Sequence, residues 1–487
     1  MKRRQFLTLS ANSAGAIVLT QCAAVRTQPT SSIPTQTSQT SGSSLVEVDL
    51  EAVSGFVDLG DRQANLFAYN GQIPGPTIEA KPGDTVRVRF TNNLPEPTNL
   101  HYHGLHVPPT GNADNVFLDI PPGDTFTYEF TLPQNHPAGI FYYHPHHHGL
   151  VAQQIFKGLG GVFVVRGTLD EIPEIRAASE TFLVLKDFAI DADGNVTPPR
   201  HMERMWGREG ALLTANGRVN PSLEIAPDGL LRLRLLNAST SRFYRLAIEN
   251  HPLYLIATDG GSLSTPVELP ELLLSPGERA DVVVRGDRSS GQYRLLNLPY
   301  NRGRMGMMGG GMMGGGMMGG GMMDIPEPTD EPQTLATLTY TGESRPVSLP
   351  EKLIPVAALP ESETVRRFVL NHGMSPGMGM VFLINGKTFD PKRIDTTVRL
   401  DTVEEWELVN TGTMDHPFHL HTNPFQIVSR NDRPEPYLAW KDTVLVSVGE
   451  TVRIRVRFAD FPGKMVYHCH ILDHEDLGMM GILEIQG

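Results

Sequence analysis

A short phrase occurs three times along this chain: an Asn-Gly turn, followed later by a run in which apolar and polar residues alternate. Successive side chains of a β-strand point to opposite faces of a sheet, so alternation with a period of two indicates a half-buried strand. The interval between the copies is far longer than a solenoid repeat, which indicates duplicated domains. The turns are 70–71, 216–217 and 385–386, and the runs are 85–90 (TVRVRF), 231–235 (LRLRL) and 402–408 (TVEEWEL).

The length of the chain agrees with three such domains. Its 487 residues correspond to three units of roughly 150 residues each, and 40% of them are hydrophobic, which is enough for ordinary cores. Short alternating strands between Gly and Pro turns favour Greek-key β-sandwiches. We therefore predict an all-β chain with three consecutive sandwich domains at 45–167, 168–324 and 325–487.

Residues 1–44 resemble an export signal and its tether. The basic pair Arg3-Arg4 precedes a short apolar stretch at 11–20, which is too short to span a bilayer but suits a signal peptide. The pair indicates the twin-arginine route, and an ordinary secretory leader is the alternative. Residues 26–44 are rich in Ser, Thr, Gln and Pro, which is typical of a disordered tether. We expect a periplasmic or otherwise exported protein without a membrane span.

Cysteine usage excludes a disulfide scaffold. The chain has two cysteines, and Cys22 lies at the end of the leader, where it is either a lipid-anchor site or is removed with the signal. The thiol of Cys469 then has no partner for a disulfide, so it is buried, reactive or metal-bound. The net charge of −13 and the lack of a basic stripe argue against nucleic acid as a partner.

Four His-X-His pairs are the main functional feature of the sequence. On a strand, residues i and i+2 project from the same face roughly 7 Å apart, so each pair can reach two neighbouring metal ions. Eight imidazoles arranged in this way favour a small metal cluster and exceed what a four-ligand zinc site needs. The pairs are His101 and His103, His144 and His146, His419 and His421, and His468 and His470.

The residue between the last pair of histidines is Cys469. Strand alternation directs its sulfur away from the flanking imidazoles and towards a second site. His416, His474 and Met479 lie near it in the sequence and can complete a His₂Cys set with a weak thioether ligand. That donor set is typical of a blue-copper electron-transfer site.

The segments that carry these residues resemble the four copper-binding motifs of multicopper oxidases. The likeness extends over nearly all of the chain after the leader, and the family includes laccases, bilirubin oxidases and bacterial cuprous oxidases. It implies three cupredoxin-like domains, four copper ions, and reduction of O₂ to water with electrons taken singly from a reductant. The segments are HYHGL (101–105), YHPHHHG (143–149), HPFHLH (416–421) and HCHILDHEDLGMM (468–480).

The resemblance also implies which residues hold each copper ion. Type 1 copper would take His416, Cys469, His474 and Met479, and type 2 copper would take His101 and His419. One type 3 copper would take His103, His144 and His470, and the other would take His146, His421 and His468. Five further histidines are expected to have no role at the metals: His106, His136, His201, His251 and His372.

Reduction of O₂ consumes protons, so acids are expected beside the cluster. Glu475 directly follows His474 and matches a family position that passes protons towards dioxygen. Asp114 lies eleven residues past His103 and matches an acid near the type 2 copper. The resemblance therefore implies catalytic roles for both carboxyl groups.

Segment 305–323 alternates Met-Met pairs with Gly triplets, a pattern that suits neither a helix nor a strand. Because thioethers select Cu(I), we predict copper capture, and a spacer without a role is the alternative. Met414 matches a thioether near the type 1 copper of cuprous oxidases, whereas Gly412 stands where an Asp would be expected. The candidate Cu(I) ligands are Met305, Met307, Met308, Met312, Met313, Met317, Met318, Met322, Met323 and Met414, with a second group at Met374, Met378 and Met380.

These features together predict an exported multicopper oxidase that uses O₂ as acceptor and Cu(I), phenols or both as reductants. The closest alternative is a laccase for organic or other metal substrates. An alternative from a different class is a periplasmic copper-storage protein. A copper nitrite reductase is disfavoured, because it has no cluster that needs eight bridging imidazoles.

Overall fold

The computed structural model describes residues 36–40, 43–303, 331–362, 364–375 and 379–487. Most of the predicted leader and tether, with Cys22, lies outside these ranges, and so do the segment 305–323 and Met378. Within the ranges, no helix is both long and apolar enough to cross a membrane. The described ranges contain 32 strands in six sheets, and none of their five helices exceeds six residues. The prediction of an all-β chain is confirmed.

The first sandwich is built from two sheets and one helix. Its elements are β1 (Gln36–Thr40), β2 (Ser43–Asp58), β3 (Gln63–Tyr69), β4 (Gly75–Ala80), β5 (Thr85–Asn93), β6 (His101–His103), β7 (Thr125–Thr131), β8 (Gly139–His144), α1 (Val151–Phe156) and β9 (Gly161–Val165). The sheet orders are β1-β2-β5-β7, with β3 paired to β2, and β4-β9-β8-β6. The alternating run in β5 buries Val86, Val88 and Phe90 in the first core, as its period predicts.

The second sandwich has a largely aliphatic core that includes Leu233, Leu255 and Val283. Its elements are α2 (Thr168–Glu171), α3 (Pro173–Ala177), β10 (Ser179–Phe188), α4 (His201–Trp206), β11 (Leu212–Ala215), β12 (Ser222–Ile225), β13 (Leu230–Asn237), β14 (Tyr244–Ile248), β15 (Leu253–Thr258), β16 (Gly261–Leu269), β17 (Leu272–Leu274), β18 (Arg279–Arg285), β19 (Gln292–Leu298) and β20 (Gln333–Tyr340). The sheet orders are β11-β10-β13-β18-β15-β16 and β12-β20-β19-β14-β17.

The third sandwich is centred on Trp406, which is fully buried among Phe368, Phe418, Phe458 and Tyr467. Its elements are β21 (Val365–Ser375), β22 (Gly379–Ile384), β23 (Thr396–Arg399), β24 (Thr402–Asn410), β25 (His416–Leu420), β26 (Phe425–Arg430), β27 (Arg433–Pro434), β28 (Trp440–Lys441), β29 (Thr443–Val446), β30 (Thr451–Phe458), β31 (Gly463–Cys469), α5 (Leu472–Asp476) and β32 (Met480–Gln486). The sheet orders are β22-β21-β24-β30-β26-β27, with β28 paired to β26, and β23-β32-β31-β25-β29.

The second sandwich extends past its predicted end at residue 324. Strand β20 pairs with both β12 and β19, and Leu335, Leu338 and Leu353 lie in the second core. The predicted start of the third domain at residue 325 is therefore too early. A Gly-rich stretch between two strand patterns indicates a linker in a sequence, but here it joins antiparallel neighbours of one sheet. The first sandwich likewise begins before its predicted start at residue 45, because β1 and the first residues of β2 lie within the predicted tether and pair with each other. The boundary at residue 167 stays a prediction.

Candidate metal centre

Strand alternation in the first sandwich directs the first His-X-His pair to one face, where it meets His144 at the end of β8. In β6, His101 and His103 point to this face, whereas Tyr102 packs into the first core. Strand β6 is the edge strand of its sheet and pairs with β8, which places His101 directly opposite His144. The antiparallel pairing of β6 with β8 therefore brings together imidazoles from two distant parts of the sequence.

The same alternation in the third sandwich separates the last two His-X-His pairs from the cysteine. Strands β25 and β31 are neighbours, with His419 opposite His468 and Phe418 opposite Cys469. Phe418 and Cys469 lie in the third core. The two imidazoles point to the other side, towards the first sandwich, as the stacking below shows.

Eight imidazoles, which we call the eight-histidine cluster, meet between the first and third sandwiches. His103 stacks on His419 with ring centroids 3.7 Å apart, and His101 stacks on His421 at 3.9 Å. Each stack joins a ring of the first sandwich to a ring of the third. None of the eight is more than 2% exposed: His101, His103, His144, His146, His419, His421, His468 and His470.

Ring nitrogens of the cluster converge as metal ligands do. The Nε2 atom of His468 lies 3.2 Å from Nε2 of His146 and 3.1 Å from Nε2 of His421. These three form one of the sets whose donor atoms all lie within 4.8 Å of one another. His103 Nδ1 lies 3.4 Å from His144 Nε2. The ring of His470 packs edge-on against His103 with centroids 4.9 Å apart. The structure thus brings the six residues that the resemblance assigned to the type 3 positions into one cluster.

Burial keeps these imidazoles neutral. Desolvation and the neighbouring imidazoles lower the pKa of His101, His144 and His421 well below the ordinary value. Burial lowers the pKa of His468 to about 4. A neutral imidazole has a free lone pair on one nitrogen, which is the form that binds a metal ion.

A second donor set lies on the core side of β31. The Cys469 sulfur is 3.5 Å from His416 Nδ1 and 3.8 Å from His474 Nδ1, and all three residues are fully buried. Met479 is also fully buried in the same core, and its carbonyl oxygen accepts a hydrogen bond from the Cys469 N–H at 3.0 Å. We call these four residues the cysteine site.

The two donor sets fit metal ions. Metal–nitrogen bonds of about 2.0 Å and metal–sulfur bonds of about 2.3 Å that meet at roughly 120° in a trigonal site place the N and S atoms about 3.7 Å apart, close to the separations at Cys469. In the eight-histidine cluster, Nε2 of His101, Nε2 of His419 and both ring nitrogens of His470 are buried without a hydrogen-bond partner. Buried polar atoms are normally paired, and metal coordination pairs them.

Three comparisons with known proteins agree on one family. Models of the multicopper oxidase family match residues 54–170, 189–312 and 358–486. A multicopper oxidase of Staphylococcus haemolyticus (strain JCSC1435) is 30% identical over 432 residues, which cover 87% of this chain and 84% of the relative. The chain belongs to the multicopper oxidases. A laccase of Bacillus subtilis (strain 168) is 26% identical over 86% of this chain and 90% of its own.

A solved structure supports the same family. The multicopper oxidase from Campylobacter jejuni, described as a metallo-oxidase, has a TM-score of 0.79 and 30% identity, and the match covers 91% of this chain and 92% of that one. As a multicopper oxidase, the protein binds four copper ions, one of type 1, one of type 2 and two of type 3. Bound copper supplies one-electron redox chemistry, so that oxidation of a reductant is coupled to reduction of O₂ to water.

Glu475 lies beside the eight-histidine cluster, fully buried. Its carboxyl oxygens are 3.0 Å from His468 Nδ1 and 3.5 Å from His146 Nε2. Because His468 Nδ1 already donates to the Cys469 carbonyl oxygen at 3.0 Å, the carboxyl group makes no hydrogen bond of good geometry. Burial raises the pKa of Glu475 to about 7, against an opposing effect of His146. The group can therefore hold or release a proton near neutral pH.

Asp114 contacts a different imidazole of the cluster, that of His101. Its carboxyl oxygens lie 2.9 and 3.1 Å from His101 Nδ1, and Oδ1 also accepts the Tyr102 N–H at 2.9 Å. Burial raises the pKa of Asp114 to about 8, although the bond from Tyr102 lowers it. The hydrogen bond to Nδ1 leaves Nε2 of His101 as the nitrogen that can bind a metal.

Sequence reasoning missed Asp442. This carboxylate accepts a hydrogen bond from His103 Nε2 at 2.9 Å, and its backbone carbonyl accepts one from His419 Nδ1 at 2.8 Å. Burial alone would raise the pKa of Asp442, but the Arg279 guanidinium and the bond from His103 hold it well below the usual value. The only signal in the sequence was a charged Lys-Asp pair at 441–442 next to a strand of apolar residues.

The role of the cysteine site predicts the first experiment. Cys469 is the predicted thiolate ligand of type 1 copper, and such a ligand gives this copper its blue colour. We therefore expect copper-loaded Cys469→Ser to lose both the blue absorption band and oxidase activity. Absorption spectroscopy and O₂ uptake measure the two losses, and circular dichroism checks that the β-fold is retained. A folded variant that still oxidised substrate at the wild-type rate would contradict the assignment.

Proposed function

We propose that the twelve predicted ligands hold copper in the sets that the resemblance implies. Type 1 copper is assigned to His416, Cys469, His474 and Met479, type 2 to His101 and His419, and the type 3 pair to His103, His144 and His470 and to His146, His421 and His468. The converging nitrogens of His146, His421 and His468 support one type 3 set, and the N–S separations at Cys469 support the type 1 set. Consecutive residues of β31 then connect the cysteine site to the eight-histidine cluster through covalent bonds.

We propose that Cu(I) is the physiological reductant and that phenols are secondary ones. The observation that carries this proposal is the position of Gly303, the last described residue before the Met-rich segment 305–323. A Cβ on Gly303 would come within 2.8 Å of the Thr413 carbonyl oxygen and 3.4 Å of Met414 Cα. The Arg302 carbonyl oxygen accepts the Asp415 N–H at 2.9 Å. Arg302 and Gly303 therefore lie beside the residues that lead into His416, and the segment 305–323 begins two residues later in the sequence.

A second group of soft donors supports the same proposal. In the hairpin of β21 and β22, His372 pairs with Phe382 and Met374 pairs with Met380, so the four side chains share a face. Phe382 stacks on His474 with ring centroids 3.7 Å apart, which directs this face to the cysteine site. Met374 is 76% exposed and can meet Cu(I) from solvent, whereas Met414 is buried.

His372 was expected from the sequence to have no role at the metals, but its side chain lies near the cysteine site. A Cβ on Gly412 would be 3.3 Å from His372 Nδ1 and 3.6 Å from His416 Nε2, and His372 Nδ1 is buried without a hydrogen-bond partner. The imidazole therefore lies close to where an Asp at position 412 would project. Imidazole and thioether are both copper ligands, which supports a metal as reductant over a bulky organic molecule.

The main alternative is a laccase that uses organic reductants, like the relative of that name in Bacillus subtilis. The Nε2 of His474 is the outward nitrogen of the cysteine site, and it donates to the Met205 carbonyl oxygen at 3.2 Å. Helix α4, which carries Met205, is partly exposed. An organic molecule bound on α4 would be connected to His474 through the hydrogen bond between Met205 and His474.

We also propose that Glu475 and Asp114 handle the protons that O₂ reduction consumes. Glu475 contacts His146 and His468, two members of one type 3 set, and Asp114 contacts His101 of the type 2 set. Both carboxyl groups are buried and have pKa values near neutrality, which suits proton transfer at physiological pH.

Glu475→Gln tests the proton role. The amide cannot release a proton, so we expect the rate of O₂ reduction to fall about a hundredfold or more, while anaerobic reduction of type 1 copper proceeds at the wild-type rate. Stopped-flow bleaching of the blue band and steady-state O₂ uptake separate the two steps. Glu484→Gln, at a partly exposed position of β32, is the matched control. Loss of the blue band with unchanged O₂ uptake would refute the role.

Changes to the Met-rich segment test the proposed reductant. Replacing its nine methionines with serine keeps the length and removes the donors, so kcat/KM for Cu(I) should fall about tenfold, as expected when a tethered ligand is lost. Activity on phenols should stay the same. Deleting 305–323 should lower kcat/KM for Cu(I) and leave phenol oxidation equal or faster. Met374→Leu should lower only the Cu(I) value.

The serine variant is the control that separates donor chemistry from bulk. Equal losses for Cu(I) and phenols in this variant would mean that the segment is structural. An unchanged Cu(I) value in all three variants would favour the laccase alternative and leave the segment as a spacer.

We propose that the protein is exported by the twin-arginine route, on the basis of Arg3-Arg4 and the apolar stretch that follows. Replacing both arginines with lysine should retain the protein inside a bacterial host, as measured by cell fractionation and immunoblotting. Arg26→Lys, outside the pair, is the control. Undiminished export of the double variant would indicate the ordinary secretory leader instead.

A further inference from the structure

The second sandwich supplies none of the proposed copper ligands, yet it reaches the eight-histidine cluster. The loop before β18 passes so close to His470 that a Cβ on Gly277 would lie 2.8 Å from the ring atoms Cε1 and Nε2. Two residues later, at the start of β18, Arg279 is fully buried. A buried guanidinium is stable only where its donors and its charge are fully compensated.

All five N–H donors of Arg279 have acceptors, and these come from all three sandwiches. Nε donates to the Ile140 carbonyl oxygen of the first sandwich at 3.3 Å. Within the second sandwich, Nη1 donates to Gly277 O at 3.1 Å and Nη2 donates to Asp259 O at 3.0 Å. Nη1 and Nη2 also grip the Asp442 carboxylate of the third sandwich at 2.8 and 2.5 Å. Such a bidentate pair fixes orientation as well as charge.

Asp442 passes this orientation to two cluster imidazoles. Because Oδ1 accepts from His103 Nε2 at 2.9 Å, His103 is held in the tautomer whose free nitrogen is Nδ1, the atom that faces His144. The Asp442 carbonyl oxygen accepts from His419 Nδ1 at 2.8 Å, which leaves Nε2 of His419 free. Partners of this kind set the orientation and basicity of metal-binding histidines.

The surroundings leave this arrangement little freedom. A Cβ on Gly104 would collide with both Arg279 Nη2 and Asp442 Oδ2. The neighbouring Lys441 pairs with Asp259 and Glu278 at 2.9 Å each, so the chain around Asp442, between β28 and β29, is joined to the second sandwich twice. A rotation of Asp442 would break contacts in more than one sandwich.

We infer that Arg279 is a positioning residue through which the copper-free second sandwich sets the geometry of the three-copper cluster. It acts through Asp442 on one imidazole from the first sandwich and one from the third. The inference rests on the proposed assignment of cluster copper to the eight histidines. Arg279 is inferred to affect the assembly of the cluster and not that of the cysteine site.

Arg279→Lys tests this inference. Lysine keeps the charge but cannot make the bidentate grip or satisfy five acceptors, so His103 and His419 lose their fixed orientation. We expect copper per chain to fall from about four to between one and two, with the blue band of the type 1 copper retained and O₂ uptake reduced at least tenfold. Copper analysis, absorption and electron paramagnetic resonance give these readouts on the full-length protein.

Arg232→Lys is the matched control. Arg232 is an equally buried arginine of the second sandwich whose guanidinium grips Asp281 and Asp170, away from the copper ligands. It should lower the melting temperature of the copper-free protein to a similar extent while leaving about four coppers per chain. A second variant, Asp442→Asn, should repeat the cluster loss with the blue band retained.

Three outcomes decide between the inference and its rivals. Four coppers per chain in Arg279→Lys or in Asp442→Asn would overturn the inference and leave the proposed function intact. Parallel loss of the blue band and the cluster copper in both variants, or cluster loss in Arg232→Lys as well, would mean a purely structural role and would also overturn it. His103→Ala serves as the reference for the ligand assignment: if it kept four coppers, the assignment itself would fail.

Discussion

The structure depends on the burial of eight neutral imidazoles in a space that two sandwiches close from opposite sides. Desolvation keeps the rings uncharged, and several ring nitrogens have no hydrogen-bond partner within the protein. An unpaired polar atom in a dry interior costs free energy of about 1–3 kcal/mol. A metal ion that binds these lone pairs removes this cost, so metal binding and folding are coupled. The copper centre therefore stabilises the contact between the first and third sandwiches, and that contact stabilises the copper centre.

The strand period made most of the site predictable. His-X-His pairs on strands must share a face, and the residue between them must point away, so the local sequence determines that Cys469 and its flanking imidazoles serve different sites. Which pairs meet was inferred from the family resemblance, and the structure brings the same residues together. The all-β class follows from the same alternation, as β5 shows by burying every second residue.

The sequence could not predict features that depend on packing between distant segments. Asp442 and Arg279 are 163 residues apart in the chain, and neither belongs to a motif with a characteristic spacing. His372 was expected to have no role at the metals. Its proximity to Gly412 becomes apparent only when the packing of β21 against the loop before β25 is known. The end of the second domain was misplaced because the Gly-rich segment interrupts one sheet between β19 and β20.

A multicopper oxidase takes electrons from its reductant one at a time and transfers four of them to one O₂ molecule. The most direct test is the ratio of reductant oxidised to O₂ consumed, measured with an oxygen electrode and a known amount of a one-electron reductant, with peroxide assayed in the same vessel. Four reductant molecules per O₂ and no hydrogen peroxide are predicted, because under the proposed assignment the eight-histidine cluster would hold three coppers close to a fourth at the cysteine site. A ratio of two with stoichiometric peroxide would contradict the account.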